Sequence, residues 1–182
     1  MERVVYSRTN HVISVRLRSR RALPEFASLL MAGKYSPKKF SAITLKVINP
    51  NATVILFSTG TATVMGCTSY YAALVALRFL REKLDLEFVH IVLTNIVAKF
   101  SIFDRFEVDV DKFRAANQDC CSYNPSVFPS CSFKLPDPTK NIKVNLFSSG
   151  RIIVAGPKTR EDLEHTVRVV MERFDTTFRR LE

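Results

Sequence analysis

Two stretches of the chain each place a phenylalanine beside a small polar turn. Residues 54–66 read VILFSTGTATVMG and residues 144–156 read VNLFSSGRIIVAG, with seven of thirteen positions identical. Phe57 and Phe147 precede these turns, and Phe40 and Phe128 end the turns written SPKKF and NPSVF. A single phenylalanine usually belongs to a hydrophobic core. Four at matched positions, each beside a Pro or Gly turn, favour a binding role instead.

Residues suited to catalysis are sparse. His11, His90 and His165 are scattered, and no Ser/His/Asp, metal-binding or Gly-rich phosphate signature is present. Asp109 and Asp111 form the one close carboxylate pair, and a solvated helix start explains them adequately. The sequence therefore argues against an enzyme and predicts neither a metal nor a cofactor.

Composition and charge are consistent with a polyanionic partner. The 182 residues are 47% hydrophobic, enough for one core or two small cores of about 90 residues sharing a sheet. The net charge is +10, and residues 1–91 hold thirteen Lys/Arg against five Asp/Glu. A basic balance of this kind is consistent with nucleic acid binding, although basic proteins without such a partner are common.

The cysteines and the N-terminus predict an intracellular, soluble protein. No CxxC pair and no nearby His at ligand spacing accompany the cysteines, which favours free thiols in a reducing compartment. The N-terminal segment is charged from its second residue, and no run approaches the roughly 18 apolar residues of a membrane span. The four cysteines are Cys67, Cys120, Cys121 and Cys131.

An internal repeat covers the chain. NHVISV at residues 10–15 corresponds to NIVAKF at 95–100, and KYSPKKF at 34–40 corresponds to SYNPSVF at 122–128. The offsets between matched positions grow slowly through 85, 88 and 90 residues, which small insertions in the second copy explain. We predict one repeat in residues 1–91 and a second in residues 92–182, together forming one domain.

Each repeat has the pattern of strands followed by a long helix. Residues 40–48 alternate, with Ile43, Leu45 and Val47 on one face and Ala42, Thr44 and Lys46 on the other. Helical periods predict long helices at residues 69–84 and 159–174, and shorter ones at 23–31 and 108–117. Two such units can join their strands into one antiparallel sheet with helices on one face only, which leaves the other face free for function.

With these motifs in view, the chain resembles the C-terminal core of the TATA-box-binding protein family over about residues 5–181. The resemblance rests on the duplication, the SPKKF and NPSVF turns, the ILFSTG and NLFSSG stretches, and the Asn-x-Val pairs at Asn10/Val12 and Asn95/Val97. It implies a saddle-shaped α+β fold, in which one curved antiparallel sheet lies in the DNA minor groove and helices cover the convex back.

The resemblance also implies roles for individual residues. Phe40 with Phe57 and Phe128 with Phe147 would be wedges that unstack base steps and kink the duplex. Asn10 and Asn95 would donate amide hydrogens to the acceptors of an A·T-rich groove, the alternative being a hydrogen bond to a turn. The residues that would make apolar contact with the groove floor are Val12, Val97, Ile55, Thr63 and Ile153.

Basic positions of the family pattern imply phosphate contacts, which orient the protein without reading sequence. A solvated basic surface is the alternative for each of these residues. They are Lys39, Lys46, Lys134, Arg151 and Lys158. The further basic run Arg16, Arg18, Arg20 and Arg21 is atypical of the family, and could serve phosphates or a partner.

Several positions depart from the family. Met65 and Ala155 stand where a threonine donates to the central base pairs, and Asn145 replaces a large aliphatic, so a weaker or broader TATA preference is expected. Residues 123–127 lack the Glu that engages the B-type general transcription factor. Leu74 and Phe79 replace basic residues of the helix that meets A-type factors.

The leading hypothesis is a DNA-binding initiation factor that bends double-stranded promoter DNA and provides a platform for general transcription factors and the RNA polymerase machinery. Its divergence suggests a related factor from a distant eukaryote or a large DNA virus, acting in the nucleus or at the site of viral transcription. The alternative is a protein-interaction module whose saddle engages a partner other than DNA. An exposed apolar concave face would also favour homodimers.

Overall fold

A computed structural model of the chain describes residues 5–18, 23–29, 34–36, 38–102, 108–135 and 141–178. Its contacts divide the chain into two compact units. Thr9–Asn95 form the first unit, and Ile96–Glu182 with Met1–Arg8 form the second unit. The boundary between the sequence repeats, placed after residue 91, stays a prediction.

The first unit is an antiparallel sheet with two described helices. Its strands are ordered β2-β3-β4-β5-β1, and all four pairs of neighbouring strands are antiparallel. Its elements are β1 (Ser7–Arg18, from Thr9 onward), α1 (Leu23–Leu29), β2 (Lys34–Ser36), β3 (Phe40–Val47), β4 (Ala52–Phe57), β5 (Thr61–Cys67) and α2 (Tyr70–Leu84).

Alternation along the strands builds the core of the first unit. Ile43, Leu45 and Val47 of β3 are buried as predicted, in one cluster with Phe26 of α1 and Leu80 of α2. The helices therefore cover one face of this sheet.

One residue of β3 departs from the predicted alternation. Ala42 was expected on the uncovered face, yet it is only 2% exposed. Its strand partner is Phe57, and the large ring beside a small methyl group excludes solvent from it.

The second unit repeats this arrangement. Its strands are ordered β6-β10-β9-β8-β7, again with antiparallel neighbours. Its elements are β6 (Glu87–Ser101, from Ile96 onward), α3 (Val110–Ala116), β7 (Cys121–Asn124), β8 (Phe128–Lys134), β9 (Lys143–Phe147), β10 (Arg151–Ala155) and α4 (Arg160–Phe178).

An aromatic cluster joins α3, α4 and β8 in the second unit. The Phe113 ring lies 5.6 Å from that of Phe133 and 6.4 Å from that of Phe174. Helix α4 continues four residues beyond its predicted end, because the Phe178 ring packs against that of Phe174 one turn earlier, with ring centroids 4.5 Å apart. This contact stabilises the added turn.

Side-chain caps fix the starts of α2 and α4. The Ser69 hydroxyl accepts a hydrogen bond from the Ala72 amide at 3.1 Å at the start of α2. Thr159 accepts from the Asp162 amide at 3.0 Å, as the capping pattern predicted for α4.

None of the helices in the described ranges is long and apolar enough to cross a membrane.

Candidate nucleic-acid interface

Each unit has a sheet face that its described helices leave uncovered, here called the open face. In the first unit it carries the half-buried Val12, Ile55 and Thr63, with Thr63 paired to Ile55 on β4 and to Ser14 on β1. In the second unit it carries Val97 and Ile153. The alternation predicted for these five residues is confirmed, while their contact with a groove floor stays a prediction.

The same turn places Phe57 and Phe147 at the ends of β4 and β9. The Gly60 amide donates to the Phe57 carbonyl at 3.2 Å, and the Gly150 amide donates to the Phe147 carbonyl at 2.9 Å. Both glycines have positive φ, +77° and +74°, which this turn requires and which other residues rarely adopt. Each unit therefore holds a half-buried phenylalanine at a strand end on its open face.

The second candidate wedge pair is assembled. Phe128 is 52% exposed and its ring lies 6.1 Å from that of Phe147, at an interplanar angle of 66°. In the first unit, Phe40 begins β3, but its side chain lies outside the described part of the structure. The structure thus brings one of the two predicted pairs together and places Phe57 of the other.

Asn10 is anchored to the sheet through its carbonyl oxygen. Asn10 Oδ1 accepts a hydrogen bond of 2.7 Å from the backbone amide of Gly66 on β5, 56 residues away. This bond fixes the side-chain amide and leaves its Nδ2 hydrogens to donate elsewhere. Asn95, its counterpart, is half-buried on β6.

The predicted phosphate contacts are all exposed. Lys46 and Lys134 lie on the open faces, and Arg151 begins β10 on the same face as Ile153. Lys39 and Lys158 lie outside the strands, in segments next to β3 and β10. Exposed cations at these places can meet a polyanion without losing buried partners.

Sequence reasoning missed two lysines on the open face of the second unit. Lys143 pairs directly with Lys134 between β9 and β8, and Lys99 pairs with Ile153. Lys99 is two residues from Val97 on the same strand, so the period-two pattern could have predicted that Lys99 lies on the open face. The basic surface of the second unit is therefore denser than predicted.

The basic run near the N-terminus is only partly described. Arg16 is exposed and pairs with Thr61 in the sheet, and Arg18 lies 3.8 Å from Glu87 in an exposed ion pair. Arg20 and Arg21 lie outside the described residues. An exposed pair of this kind adds little stability.

The residues that depart from the family pattern also lie on the open faces. Met65 pairs with Thr53, Ala155 pairs with Val97 and Lys143, and Asn145 pairs with Ser132 and Ile153. All three departing residues are half-buried. Methionine and alanine side chains donate no hydrogen bond, so two donor positions of the pattern are apolar here.

The carboxylate pair has a structural role. Asp109 caps α3, since its Oδ1 accepts from the Lys112 amide at 2.8 Å, and Asp111 lies in the first turn. In the described ranges, no three or more His, Cys, Asp or Glu are grouped to hold a metal ion.

The four cysteines are free thiols. Burial raises the pKa of the Cys67 thiol, and burial also raises that of Cys120 despite Arg173 Nη1 at 3.2 Å from its sulfur. These two thiols therefore stay protonated at neutral pH.

Two further places expose apolar side chains. The turn between β7 and β8 exposes Val127, and its Asn124 Oδ1 accepts from the Ser126 amide at 3.2 Å. On α2, Phe79 is 43% exposed, whereas Leu74 packs against the core. Both places lie where the sequence departs from the family's partner-binding residues.

The family model described as transcription factor TFIID (or TATA-binding protein, TBP) matches residues 6–86 and 90–176. The TATA-box-binding protein of Pyrococcus furiosus is 29% identical over 181 residues, covering 96% of this chain and 92% of that protein. That of Acanthamoeba castellanii is 28% identical over 165 residues, covering 88% of this chain.

The chain spans only part of some relatives. It covers 62% of the Acanthamoeba protein and 46% of the TATA-box-binding protein of Caenorhabditis elegans. A solved structure, Methanococcus jannaschii TBP, matches with a TM-score of 0.82 at 22% identity, over 94% of this chain and 98% of that one. This likeness confirms the α+β fold class predicted from the sequence.

Proposed function

Because the chain belongs to the transcription factor TFIID (TATA-binding protein) family, we propose that it is a general transcription initiation factor that binds promoter DNA in the minor groove. The observation that carries the proposal is the pair of aromatic rings on the open face of the second unit. Phe128 is 52% exposed beside Phe147, at 6.1 Å between ring centroids. A core would bury such rings, whereas a wedge must be presented to its base step.

Bending follows from insertion. We propose that Phe128 and Phe147 enter one base step and that Phe40 and Phe57 enter another. Unstacking a step costs a few kcal/mol, which is offset by the wider contact of the sheet with the opened groove. The half-buried Val12, Ile55 and Ile153 supply apolar surface for that contact.

Hydrogen bonds and charges complete the proposed interface. Asn10, whose oxygen is held by Gly66, has its amide hydrogens available for A N3 or T O2. Asn95 has the corresponding role in the second copy. The exposed basic residues contact phosphates and provide salt-dependent affinity without base identity.

We propose a relaxed TATA preference. The side chains of Met65 and Ala155 cannot donate to base edges, and each lost base-edge hydrogen bond lowers discrimination by about 1 kcal/mol. The phosphate contacts do not depend on these two residues, so affinity for other sequences is retained.

The proposed factor assembles the initiation machinery on the bent duplex without catalysis. Its partners are B-type and, on α2, A-type general transcription factors, with the RNA polymerase machinery. The exposed Val127 and Phe79 favour contacts more apolar than those implied by the family pattern. A eukaryotic host would place this activity in the nucleus.

A second candidate function is a protein-interaction module that uses the open faces. The apolar Met65 and Ala155 in place of donors favour it, and the same surface could pair two copies of the chain. The exposed ring of Phe128 beside Phe147 argues against it, since a protein surface has little need of a wedge.

The test is a simultaneous measurement of binding and bending. A duplex of about 20 base pairs, labelled at both ends, reports its end-to-end distance by energy transfer for a TATA sequence and a G·C-rich one. Wild type is expected to bind and shorten the TATA duplex. Phe57→Ala with Phe147→Ala should keep only weak, salt-sensitive binding without bending, and thermal unfolding should show that this variant is folded.

A matched control removes a similar ring elsewhere. Phe79→Ala alters an exposed aromatic on α2 and should leave bending unchanged. If wild type bends no duplex and the double substitution is silent, the initiation proposal is wrong and the protein-interaction module is favoured.

A further inference from the structure

The open face of the second unit contains an unsatisfied hydrogen-bond acceptor at its centre. Asn145 lies on β9 between Ser132 of β8 and Ile153 of β10. Its Oδ1 is buried and accepts no hydrogen bond from the described residues. Ser130 pairs with Phe147 on the same face and is 3% exposed. Its hydroxyl is also buried and has no hydrogen-bond partner among the described residues.

The repeat supplies an internal comparison. The position of Asn145 corresponds to Ile55 in the first unit, and that of Ser130 corresponds to Ala42. Both apolar counterparts sit at the same register, Ile55 opposite Thr44 and Ala42 opposite Phe57. The second unit therefore buries two polar groups that the first unit avoids, and an unsatisfied buried acceptor destabilises the fold.

The chemistry of the minor groove identifies what such an acceptor can recognise. A·T and T·A pairs present only acceptors there, and the amino group at guanine N2 is the one donor. Rotation about the last torsion of an asparagine exchanges its oxygen and nitrogen within a broad, two-fold energy profile. This rotation brings the Asn145 oxygen to the open side of the sheet at low torsional cost and moves its amide nitrogen to the buried place that the oxygen held. A guanine in the groove then gives the oxygen the donor it lacks.

Resting on the proposed function, we propose that Asn145 is a specificity-determining residue that accepts a hydrogen bond from guanine N2. This contact favours binding sites that have a G·C pair at one position facing the second unit. An A·T pair there leaves the acceptor unsatisfied. The first unit, with Ile55 at the corresponding place, gains nothing from a guanine.

The experiment removes the amino group alone. In an A·T-rich duplex of about 20 base pairs, a single G·C pair is moved along the site, and each guanine is also replaced by inosine, which lacks the N2 amino group. The dissociation constant of the full chain is measured for every duplex at one salt concentration. Wild type should bind about tenfold more weakly to inosine than to guanine at one position, and no more weakly at the others.

Two variants separate recognition from folding. Asn145→Ile installs the residue of the first unit and removes the unsatisfied acceptor, so it should fold at least as stably and lose the guanine preference. Gln118→Leu is the matched control, because it removes an exposed side-chain amide in the turn after α3, and it should leave the guanine preference unchanged. Equal guanine-to-inosine ratios at every position, or the same ratios for wild type and Asn145→Ile, would overturn the inference.

Bending of the all-A·T duplex, followed in the same samples, separates the two proposals. If the duplex bends, the bending depends on Phe57 and Phe147, and binding shows no guanine preference, then only the proposed role of Asn145 is wrong. Failure to bind any duplex overturns both.

Discussion

At the scale of the residue, Gly156 cannot accept a side chain unless the backbone around it shifts. Its φ is +118°, and a Cβ placed there would collide with the backbone oxygen of Asn141 and lie 2.8 Å from Ile142 Cα. Gly156→Ala combines backbone strain with overpacking, and should lower the free energy of unfolding by about 3 kcal/mol or more. Urea denaturation measures this loss.

The matching glycine of the first unit is the control. Gly66 has φ +88°, but its nearest neighbour would be the Thr53 amide nitrogen at 3.8 Å from an added Cβ. Gly66→Ala should therefore cost only backbone strain, about 1–2 kcal/mol. Equal losses for the two substitutions would show that the close approach at Asn141 is not the cause.

At the scale of the element, the start of α2 depends on a single cap. Ser69 has extended backbone angles, φ −145° and ψ 158°, and its hydroxyl satisfies the Ala72 amide. Ser69→Ala should destabilise the protein by about 1 kcal/mol because that amide loses its partner. Chemical denaturation detects the shift in midpoint.

The aspartate variant distinguishes capping from other effects. Ser69→Asp keeps an acceptor and adds a negative charge at a helix N-terminus, so it should retain wild-type stability. Equal destabilisation by alanine and aspartate would contradict the capping argument. Helix α2 also carries the basic Arg81 and Lys83 in its last turn, where cations are favourable.

At the scale of the whole molecule, the net charge of +10 predicts salt-dependent DNA binding. Five proposed phosphate contacts give a slope of log affinity against log salt of about −4 to −5. Arg151→Gln should make this slope shallower by about one while the duplex remains bent, because phosphate contacts position the protein without driving insertion. Titrations at several salt concentrations, with end-to-end distance recorded, measure both quantities.

A charge-matched variant isolates the contact from the overall field. Arg81→Gln removes the same charge from α2, on an exposed site away from the open face. Its slope should change much less than that of Arg151→Gln. Identical slopes for both variants would mean that net charge alone governs affinity.

The elements could be predicted because their signals are local. The alternation of Ile43, Leu45 and Val47 and the helical period of α2 depend on residues a few positions apart. The repeat then extended each assignment to its copy, and the period-two pattern placed Val12 and Ile153 on the open faces. The same period-two pattern could also have placed Lys99, which the sequence analysis missed, on the open face.

The sequence by itself thus determined the repeat, the elements, the strand faces and the candidate wedges. Only the tertiary structure decided that Asn10 is anchored by Gly66, that the Phe128 ring lies beside Phe147, and that Asn145 Oδ1 has no donor among the described residues. Each of these facts depends on distances between residues on different strands, which lie up to 56 residues apart in the sequence. Hydrogen-bond satisfaction and close packing depend on such distances, and no local period encodes them.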